Sequence, residues 1–407
     1  FGWWLVLVAL ILVLLGFGLA FSKAGDVVIG GAGAKPEYTM WQWFSMSLKG
    51  GIGTGILFWA MGEPIFHMAA PPAAAGAQPF TREAGLFAIS QTMLHWTIAQ
   101  YAMYSLCAVG VALMAYNRRR TISVSSIFEP YLSSSVYGVV KTVVPMVSLF
   151  CIVGALACSM AVGLMQINSG LNFFFGLPID GVTVFAIAAI MVTVYVVSCL
   201  TGIKKGMRVL SSFCTIVFIG LMVYVLCLGP TRFIVDAGTE SLGVFFNRFF
   251  EHSVILPTMA ENETWSKSWI IMFMASFFVY APIIGLFLAR LGKGRTVREF
   301  IFMNIGAPTL FCIVWIAIWG GTTVWLQYTG IMDVWQSVNE KGLEVTIFTI
   351  LSTLPFAKIL AAFFIIAVFF SFSTMADSIT GTMATLSTKN LSVDDEAARW
   401  LKIIWGC

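Results

Sequence analysis

Three ionisable residues, Lys49, Glu63 and Asp377, lie inside long apolar runs of the sequence. A charged side chain at the centre of a bilayer costs on the order of 2.5–3.5 kcal/mol on insertion scales, so such residues commonly bind a substrate or an ion. Lys49 is predicted to be the deepest of the three, although its side chain could also reach the cytoplasmic surface. Glu63 and Asp377 are predicted near helix ends, where capping or a structural ion pair explains them equally well.

A glycine-rich stretch surrounds Lys49 and runs Lys49-Gly50-Gly51-Ile52-Gly53-Thr54-Gly55, followed by Trp59. Each glycine inside a helix costs about 1 kcal/mol relative to alanine, so helix propensity does not explain the stretch. It could allow two helices to pack closely. Alternatively, it could be an unwound segment whose backbone binds a substrate or an ion at mid-membrane, as in secondary transporters. The adjacent Lys49 favours the second interpretation.

Two aromatic sets have helical spacing. The first contains Trp96, Tyr101 and Tyr104, and the second contains Phe273, Phe277 and Tyr280, three rings on one predicted helix face. Such a stripe is typical of helix packing, but aromatic rings that face one another also attract a cation and suit quaternary ammonium groups. The spacing alone leaves both interpretations open.

The remaining polar residues do not form a recognisable catalytic cluster. The three histidines, His67, His95 and His252, are far apart in the sequence, with neither a paired acid nor a metal-ligand spacing. The eight cysteines include no C-x-x-C pair. We therefore expect no enzymatic activity, no metal and no cofactor, and find neither the filter repeat nor the polar stripe that a channel would need. No nucleic-acid partner is predicted.

The elements that position these residues are predicted to be transmembrane helices. Of the 407 residues, 59% are hydrophobic and only 10% are charged, whereas a soluble domain has about 25% charged residues. Nine runs are long and apolar enough to span a bilayer. They are approximately 2–22, 40–67, 84–115, 141–169, 182–200, 207–228, 267–290, 305–327 and 356–385. The composition and these runs therefore predict an all-α integral membrane protein, embedded in a lipid bilayer.

Basic residues cluster in alternate loops, which predicts the orientation. One side has Arg118, Arg119, Arg120, Lys204, Lys205, Arg208, Arg290, Lys293, Arg295, Arg298, Lys389 and Arg399, and the other side is acidic or nearly uncharged. We predict that the basic side is cytoplasmic. Residues 241–252 place Leu242, Phe245, Phe246, Phe249 and Phe250 on one stripe and predict an amphipathic interfacial helix. Residues 342–353 predict a second short interfacial helix.

Five motifs in order along the chain resemble those of the betaine/choline/carnitine transporter family. They are the glycine-rich stretch through Gly55-Ile56-Leu57-Phe58-Trp59 to Glu63-Pro64, the segment Leu94-His95-Trp96 with Tyr101 and Tyr104, the loop Thr121-Ile122-Ser123 to Phe128-Glu129-Pro130, the signature Ala289-Arg290-Leu291-Gly292-Lys293-Gly294-Arg295-Thr296-Val297-Arg298-Glu299-Phe300, and Asp377-Ser378. The resemblance covers almost the whole chain.

The resemblance implies a neurotransmitter-sodium-symporter-like transporter core of five plus five helices in inverted repeats, with an extra N-terminal helix. The expected segments are a peripheral helix and cytoplasmic loop at 1–37, a first repeat at 38–230, a periplasmic segment at 231–265 and an incomplete second repeat at 266–407. A homotrimer in the bacterial cytoplasmic membrane is implied. So is secondary active transport by alternating access of glycine betaine, carnitine, choline or a relative.

The substrate-binding residues implied by the resemblance come from both aromatic sets and the glycine-rich helix. They are Trp96, Tyr101, Tyr104, Ser276, Phe277, Tyr280, Gly51, Gly53, Gly55 and Trp59. The family usually has several tryptophans in the second aromatic set, whereas this sequence has Ser276, Phe277 and Tyr280. Phenylalanine and tyrosine attract cations less strongly than tryptophan. A zwitterion with a different head group is therefore an alternative substrate.

A second departure concerns the ion site that the resemblance implies. In sodium-coupled members, a Thr-Ser hydroxyl pair binds one ion, and the corresponding pair here reads Thr374-Met375. Sodium prefers oxygen ligands over a thioether. We predict that Lys49 replaces the ion, within a site completed by Ile52, Ser371, Thr374 and Met375, which would make transport sodium-independent exchange or proton-linked. The alternatives are that Lys49 binds a substrate carboxylate, or that the protein is a sodium-coupled symporter of a non-quaternary zwitterion.

Overall fold

The fold is entirely α-helical over the residues that the computed structural model describes. These are residues 2–52, 55–201, 204–256, 264–388 and 397–407, with the side chains of 49–52 and 204–211 outside the description. The helices are α1 Gly2–Phe21, α2 Met40–Ile52, α3 Gly55–Ala69, α4 Arg82–His95, α5 Ile98–Ala112, α6 Ser134–Phe175, α7 Gly181–Thr201, α8 Lys204–Leu228, α9 Thr231–Asn247, α10 Phe249–Ser253, α11 Met272–Leu291, α12 Val297–Ile301, α13 Ala307–Tyr328, α14 Val334–Lys341, α15 Thr346–Ser352, α16 Ala357–Leu386 and α17 Arg399–Gly406. The all-α prediction is confirmed.

Seven of the nine predicted spans correspond to helical segments in the described residues that are long and apolar enough to cross a membrane. Of the two remaining predicted spans, 207–228 corresponds to α8, which meets α9 at a bend of 110°. The other, 40–67, corresponds to α2 and α3. Of the glycine-rich stretch that was predicted to be unwound, residues 49–52 belong to α2 and Gly55 begins α3, so the prediction is wrong for these residues. Residues 53 and 54 lie outside the described residues. The helices establish a multi-pass membrane protein by their length and composition.

The predicted span 84–115 contains an interruption that hydropathy did not indicate. α4 ends at His95 and α5 begins at Ile98. Thr97 between them has φ −126° and ψ −118°, outside the helical region. The interruption places Trp96 and Thr97 at a junction inside the span, where a side chain can project differently from those on a continuous helix.

The central helices pack closely at small residues. α5 packs against α11 where Gly285 lies beside Cys107, and a Cβ atom at Gly285 would be only 2.6 Å from the Cys107 Sγ. α6 packs against α16 where Gly163 lies beneath the ring of Phe372, 2.5 Å from the position of a Cβ atom. Small residues allow membrane helices to approach this closely. These contacts hold α5, α6, α11 and α16 together around the site described below.

Three of the predicted cytoplasmic loops meet at one end of the bundle. The backbone of Ile29, after α1, accepts a hydrogen bond from Gly294 and donates one to Arg295. The side chain of Asn117, after α5, accepts from the Gly30 amide at 2.8 Å. Arg298 forms an ion pair with Asp26 at 2.7 Å. The loops after α1, α5 and α11 therefore lie on the same side, as the distribution of basic residues predicted.

The two predicted interfacial helices differ from expectation in detail. α9 begins at Thr231, ten residues before the predicted start at Ser241. The predicted stripe is divided, because Phe245 and Phe249 are buried whereas Phe246 and Phe250 are largely exposed. In the second segment, α15 buries Ile347, Phe348, Ile350 and Leu351, so this helix is packed into the protein to a greater extent than an interfacial helix would be. Helical spacing could not assign each ring to its face.

Candidate functional site

An aromatic cavity of about 260 Å³ lies where α3, α5, α6, α11 and α16 meet. None of the described residues that line it carries a formal charge. Its lining includes seven of the ten predicted substrate-binding residues, namely Gly55, Trp59, Trp96, Tyr104, Ser276, Phe277 and Tyr280. The structure therefore brings both aromatic sets of the sequence to one cavity. A concave, mainly apolar cavity with a few polar groups is typical of a small-molecule site.

Trp96 forms one wall of the cavity, at the junction between α4 and α5. Its ring lies over Gly55, where a Cβ atom would be 2.6 Å from the indole carbon Cη2. Real Cβ atoms do not approach so closely, so Gly55 is required for the ring to lie in this position. The indole packs edge-to-face against Phe273 and Phe277, with centroids 5.2 Å and 5.8 Å away. Gly55 thus allows the Trp96 ring to occupy its position in the cavity wall.

The second wall is one face of α11. Phe273 and Phe277 stack with a centroid separation of 5.8 Å, and Phe277 meets Tyr104 of α5 edge-to-face at 6.4 Å. The Tyr280 hydroxyl donates to the Ala155 carbonyl at 2.7 Å and lies 2.6 Å from the Ser159 hydroxyl, both on α6. The π face of an aromatic ring can attract a small cation, and several such rings line this cavity.

Three of the predicted binding residues are not among the described residues that line the cavity. Tyr101 is fully buried behind it, with its hydroxyl 3.2 Å from the Cys312 sulfur on α13. Because Tyr104 lies only three residues further along α5, both had been expected to face the same space. Gly51 belongs to α2 and is not among the described residues that line the cavity, and Gly53 falls outside the described residues. Phe273 and Met272 line the cavity and were not among the predicted binding residues, although Phe273 belonged to the predicted aromatic stripe.

The predicted ion-site residues on α16 lie beside this cavity. Met375 lines it. The Thr374 hydroxyl donates within its own helix, to the carbonyls of Phe370 at 2.9 Å or Ser371 at 3.0 Å. The Ser371 hydroxyl is buried without a hydrogen-bond partner among the described residues. The side chains of Lys49 and Ile52 lie outside the described residues, so the predicted contact of Lys49 with α16 stays a prediction.

Glu63 lies in the middle of α3, and its carboxylate is completely buried. It accepts three hydrogen bonds. They come from His67 Nε2 at 3.0 Å, His95 Nδ1 at 2.5 Å and the Trp96 indole Nε1 at 2.7 Å. We call these four residues the Glu63 cluster. The expectation that Glu63 lies at a helix end is wrong, whereas its alternative, a structural ion pair, describes the contacts.

The convergence of His67 and His95 on Glu63 corrects the expectation that the histidines are isolated and lack a paired acid. The spacing Glu63-x-x-x-His67 places both side chains on one face of a helix and is visible in the sequence. His95 comes from α4, 32 residues away from Glu63, and only the packing of α3 against α4 brings it near. Trp265, Trp269 and Phe87 surround His67 with ring centroids 4.4–6.2 Å away.

The Glu63 cluster has the residue types of a metal site, and its three ligand atoms lie within 4.8 Å of one another. The distances favour hydrogen bonding instead. Two ligands of one tetrahedral zinc ion, each 2.0–2.2 Å from the metal, are about 3.3 Å apart. The separation of 2.5 Å between His95 Nδ1 and the Glu63 carboxylate is that of a charge-assisted hydrogen bond.

Asp377, the other intramembrane acid, is part of a separate contact between helices. Its carboxylate accepts from the Ser198 hydroxyl of α7 at 2.7 Å. Neither Asp377 nor Ser378 lines the aromatic cavity. The structural alternative considered for Asp377 therefore fits its position between α7 and α16.

Comparison with known proteins gives one consistent result. Residues 1–407 match the family model described as betaine/carnitine/choline family transporter. A protein named "Probable glycine betaine transporter" from Desulfitobacterium hafniense (strain Y51) is 28% identical over 406 residues, covering 100% of this chain and 80% of that protein. "Glycine betaine transporter OpuD" from Bacillus subtilis (strain 168) is 30% identical, covering 100% and 78%. "Ectoine/hydroxyectoine transporter" from Virgibacillus pantothenticus is 28% identical, covering 100% and 79%.

Proposed function

The chain belongs to the betaine/carnitine/choline family of transporters, and we propose that it carries a betaine-like zwitterion or a quaternary ammonium compound by alternating access. It is a multi-pass membrane transporter rather than an enzyme. Glycine betaine, carnitine and choline are the proposed substrates, and the aromatic cavity is the proposed binding site.

The observation that carries this proposal is the composition of the cavity. Its rings come from three helices and one junction, with Trp59 on α3, Tyr104 on α5, Phe273 and Phe277 on α11, and Trp96 at the α4–α5 junction. A trimethylammonium group cannot donate an N–H hydrogen bond, so π faces and apolar contacts must bind it. The volume of about 260 Å³ suits a small organic cation. Tyr280 and Ser276 place hydroxyl oxygens at the same cavity.

A second candidate is a zwitterion without a quaternary nitrogen. Ser276 presents a hydroxyl at the cavity, at a position where the family usually has an aromatic ring, and this hydroxyl donates to the Met272 carbonyl at 2.8 Å. A relative of 28% identity is named an ectoine/hydroxyectoine transporter. A head group with N–H donors would use the hydroxyl groups of the cavity, which a trimethylammonium group cannot do.

We propose further that Lys49 replaces a coupling sodium ion and that transport is exchange or is proton-linked. This proposal is supported by the sequence, in which Lys49 lies in the glycine-rich stretch and Met375 takes the place of a hydroxyl ligand. A Lys49→Ala variant should then gain sodium dependence. If Lys49→Ala only loses affinity for substrates that have a carboxylate, Lys49 binds the substrate instead. The homotrimer, the inverted repeats and the bacterial cytoplasmic membrane also remain proposals.

The experiment that tests this function is uptake of labelled glycine betaine, carnitine, choline and ectoine into proteoliposomes. Each substrate is tested with and without a sodium gradient, and with and without internal substrate. Uptake that ignores sodium is the expected result, and it should require internal substrate if transport is exchange. Uptake driven by sodium would contradict the role of Lys49 and support a symporter. Uptake of ectoine alone would favour the second candidate, and uptake of none of the four would contradict the proposed substrate class.

A further inference from the structure

The Glu63 cluster contains a buried negative charge that needs compensation. A carboxylate in a low-dielectric environment is stable only when it is paired and hydrogen-bonded. Among the described residues, the side chains within ion-pairing distance of the Glu63 carboxylate are those of His67 and His95, and each forms an ion pair only when it is protonated. With both imidazoles neutral the cluster has a net charge of −1, and one additional proton makes it neutral. The cluster can therefore exist in two charge states that differ by a single proton.

The hydrogen bonds identify the histidine that can accept this proton. His95 Nδ1 donates to Glu63, and its Nε2 lies 3.0 Å from the Gln91 amide nitrogen. The Gln91 amide oxygen is buried without a partner among the described residues. Rotating this amide by 180° exchanges its donor for its acceptor, so Gln91 can donate to neutral His95 or accept from the second N–H of a protonated His95. Gln91 thus supports both protonation states.

His67 lacks such support. Its Nε2 donates to Glu63, but its Nδ1 is buried without a hydrogen-bond partner among the described residues. A proton on Nδ1 would leave a buried N–H donor unsatisfied, which is costly. His67 should therefore remain neutral as a fixed donor to Glu63, while His95 changes its protonation state.

Other ionisable groups on the helices packed against α3 and α4 lie away from the cluster in the described part of the chain. Arg82, at the start of α4, pairs with Glu240 of α9. His252 of α10 lies behind the Phe87 ring, and Glu344 lies against Gly342. The other charged side chains on α4, α6, α9, α10 and α14 are exposed, as is Lys267 before α11; on the helices they are Glu83, Lys141, Arg232, Asp236, Glu251, Glu340 and Lys341. The Lys49 side chain lies outside the described residues.

The cluster is directly connected to the aromatic cavity. Trp96 donates its indole N–H to Glu63 and presents its ring to the cavity. The Phe273 ring contacts His95 with a centroid separation of 4.9 Å and contacts Trp96 at 5.2 Å. A cation bound against Trp96 and Phe273 would thus be separated from His95 by a single aromatic ring. Over such a distance in a protein interior, two positive charges repel each other appreciably.

We propose that the Glu63 cluster is a proton-binding site, with His95 as the acceptor, and that its proton competes with the cationic head group of the substrate. When the cluster has a net charge of −1, it attracts the head group through the Trp96 wall. When His95 is protonated, this attraction is lost. Because coupling between two binding sites is reciprocal, a bound head group must equally weaken proton binding. The competition rests on the proposed function, whereas the proton site does not.

The proton site is tested directly by the titration of histidine side chains. The sequence has only three histidines, so the protein labelled with ¹³C-histidine and reconstituted in nanodiscs gives three assignable NMR signals. His67→Gln, His95→Gln and His252→Gln assign them. We expect the His95 signal to change with pH because Gln91 can support both of its protonation states, and that of His67 to remain constant. Gln91→Leu removes the acceptor for the second N–H and should move the His95 titration to lower pH. A His95 signal that does not titrate, or that ignores Gln91→Leu, overturns the proposal.

The competition is tested by the dissociation constant of choline from pH 5.5 to 8.5. We expect about tenfold tighter binding at the highest pH, within the range typical of coupled sites, and a shift of the His95 titration to lower pH with saturating choline. His95→Gln should abolish the pH dependence, and the control His252→Gln should retain it. An affinity that does not change with pH, or a dependence that survives His95→Gln, overturns the competition. So does a zinc-dependent affinity at constant pH that requires His95, because the cluster would then bind a metal.

No binding of choline, glycine betaine or carnitine at any pH would contradict the proposed function and with it the competition. The NMR titration would still decide between a proton site and a permanently neutral His95.

Discussion

The aromatic cavity and the Glu63 cluster are adjacent, share Trp96, and solve opposite electrostatic problems. The cavity has no formal charge on its described lining residues, and aromatic rings make up much of its wall. The cluster contains a fully buried carboxylate that accepts three hydrogen bonds from side chains that are themselves buried. The cavity is thus suited to a transient positive charge, and the cluster to a permanent or exchangeable negative one.

The difference indicates how a membrane protein can attract a cation without placing an acid in its path. A carboxylate in the cavity would bind a cation tightly and hinder its release. In the observed arrangement, Trp96 lines the cavity with its ring and donates its indole N–H to Glu63 behind that wall. Substitutions in the cavity should therefore change the substrate affinity gradually. Loss of one member of the Glu63 cluster should instead lower the free energy of unfolding sharply. The following predictions test this contrast, from the largest expected effect to the smallest.

Glu63→Ala should have the largest effect on stability. It leaves the N–H groups of His67, His95 and Trp96 buried without their common acceptor, and breaking a buried pair in this way costs about 3–5 kcal/mol. The free energy of unfolding, measured by titration with denaturing detergent, should fall by this amount. Glu63→Gln retains one acceptor oxygen and should lose less. A Glu63→Ala protein within 1 kcal/mol of the original would show that the cluster does not stabilise the fold.

Trp96→Ala should most strongly affect substrate affinity, because it removes both the cavity wall and its anchor. A desolvated cation–π contact contributes about 2 kcal/mol, which corresponds to roughly 30-fold in the dissociation constant, and lost apolar contact adds to this. Trp96→Phe retains a ring but not the indole N–H, and should lose about tenfold.

The matched control is Trp315→Phe, at a fully buried tryptophan outside the cavity. It should change stability without changing the dissociation constant of choline or glycine betaine. Equal losses of affinity in the Trp96 and Trp315 variants would mean that Trp96 acts only through the stability of the fold.

Gly55→Ala should displace the Trp96 ring, because the new Cβ atom would lie 2.6 Å from it. Overpacking of this kind costs about 1–3 kcal/mol, so we expect roughly a tenfold weaker affinity for the substrate. Gly154→Ala is the control, since a Cβ atom there has no neighbour within 4 Å. Its affinity should be unchanged and its helix slightly stabilised. Similar binding by both variants would contradict a role for Gly55 in placing the ring.

Arg82→Ala should have the smallest effect. Arg82 and Glu240 form an ion pair in which both side chains are about half exposed. Exposed pairs contribute about 1 kcal/mol or less, because water screens them. The free energy of unfolding should therefore change by less than 1 kcal/mol, in contrast with Glu63→Ala. If Arg82→Ala lowered the free energy of unfolding as much as Glu63→Ala, burial would not explain the different contributions of the two contacts to stability.

Much of the fold could be predicted because hydropathy is a local property. Seven predicted spans match described helical segments, and the α4–α5 interruption at Trp96 was missed because Leu94-His95-Trp96-Thr97 has no glycine or proline to indicate it. The position of Glu63 within α3 was also mistaken. Glu63 was placed near the end of one continuous predicted span, 40–67, yet this span is divided into α2 and α3, and α3 continues to Ala69 with Pro64 inside it. Proline is tolerated in such helices when neighbouring groups satisfy the backbone.

For the candidate site, the sequence determined which rings exist, and helical periodicity correctly grouped Phe273, Phe277 and Tyr280 on one face that lines the cavity. It could not separate Tyr104, which lines the cavity, from Tyr101, which lies behind it against Cys312. Nor could it bring His95 to Glu63, because the two residues are 32 positions apart on different helices. Periodicity and hydropathy act within one helix, whereas contacts between helices depend on packing. The sequence by itself thus determined a membrane transporter with two aromatic sets, and only the tertiary structure placed a hydrogen-bonded acid and two histidines behind the wall of its cavity.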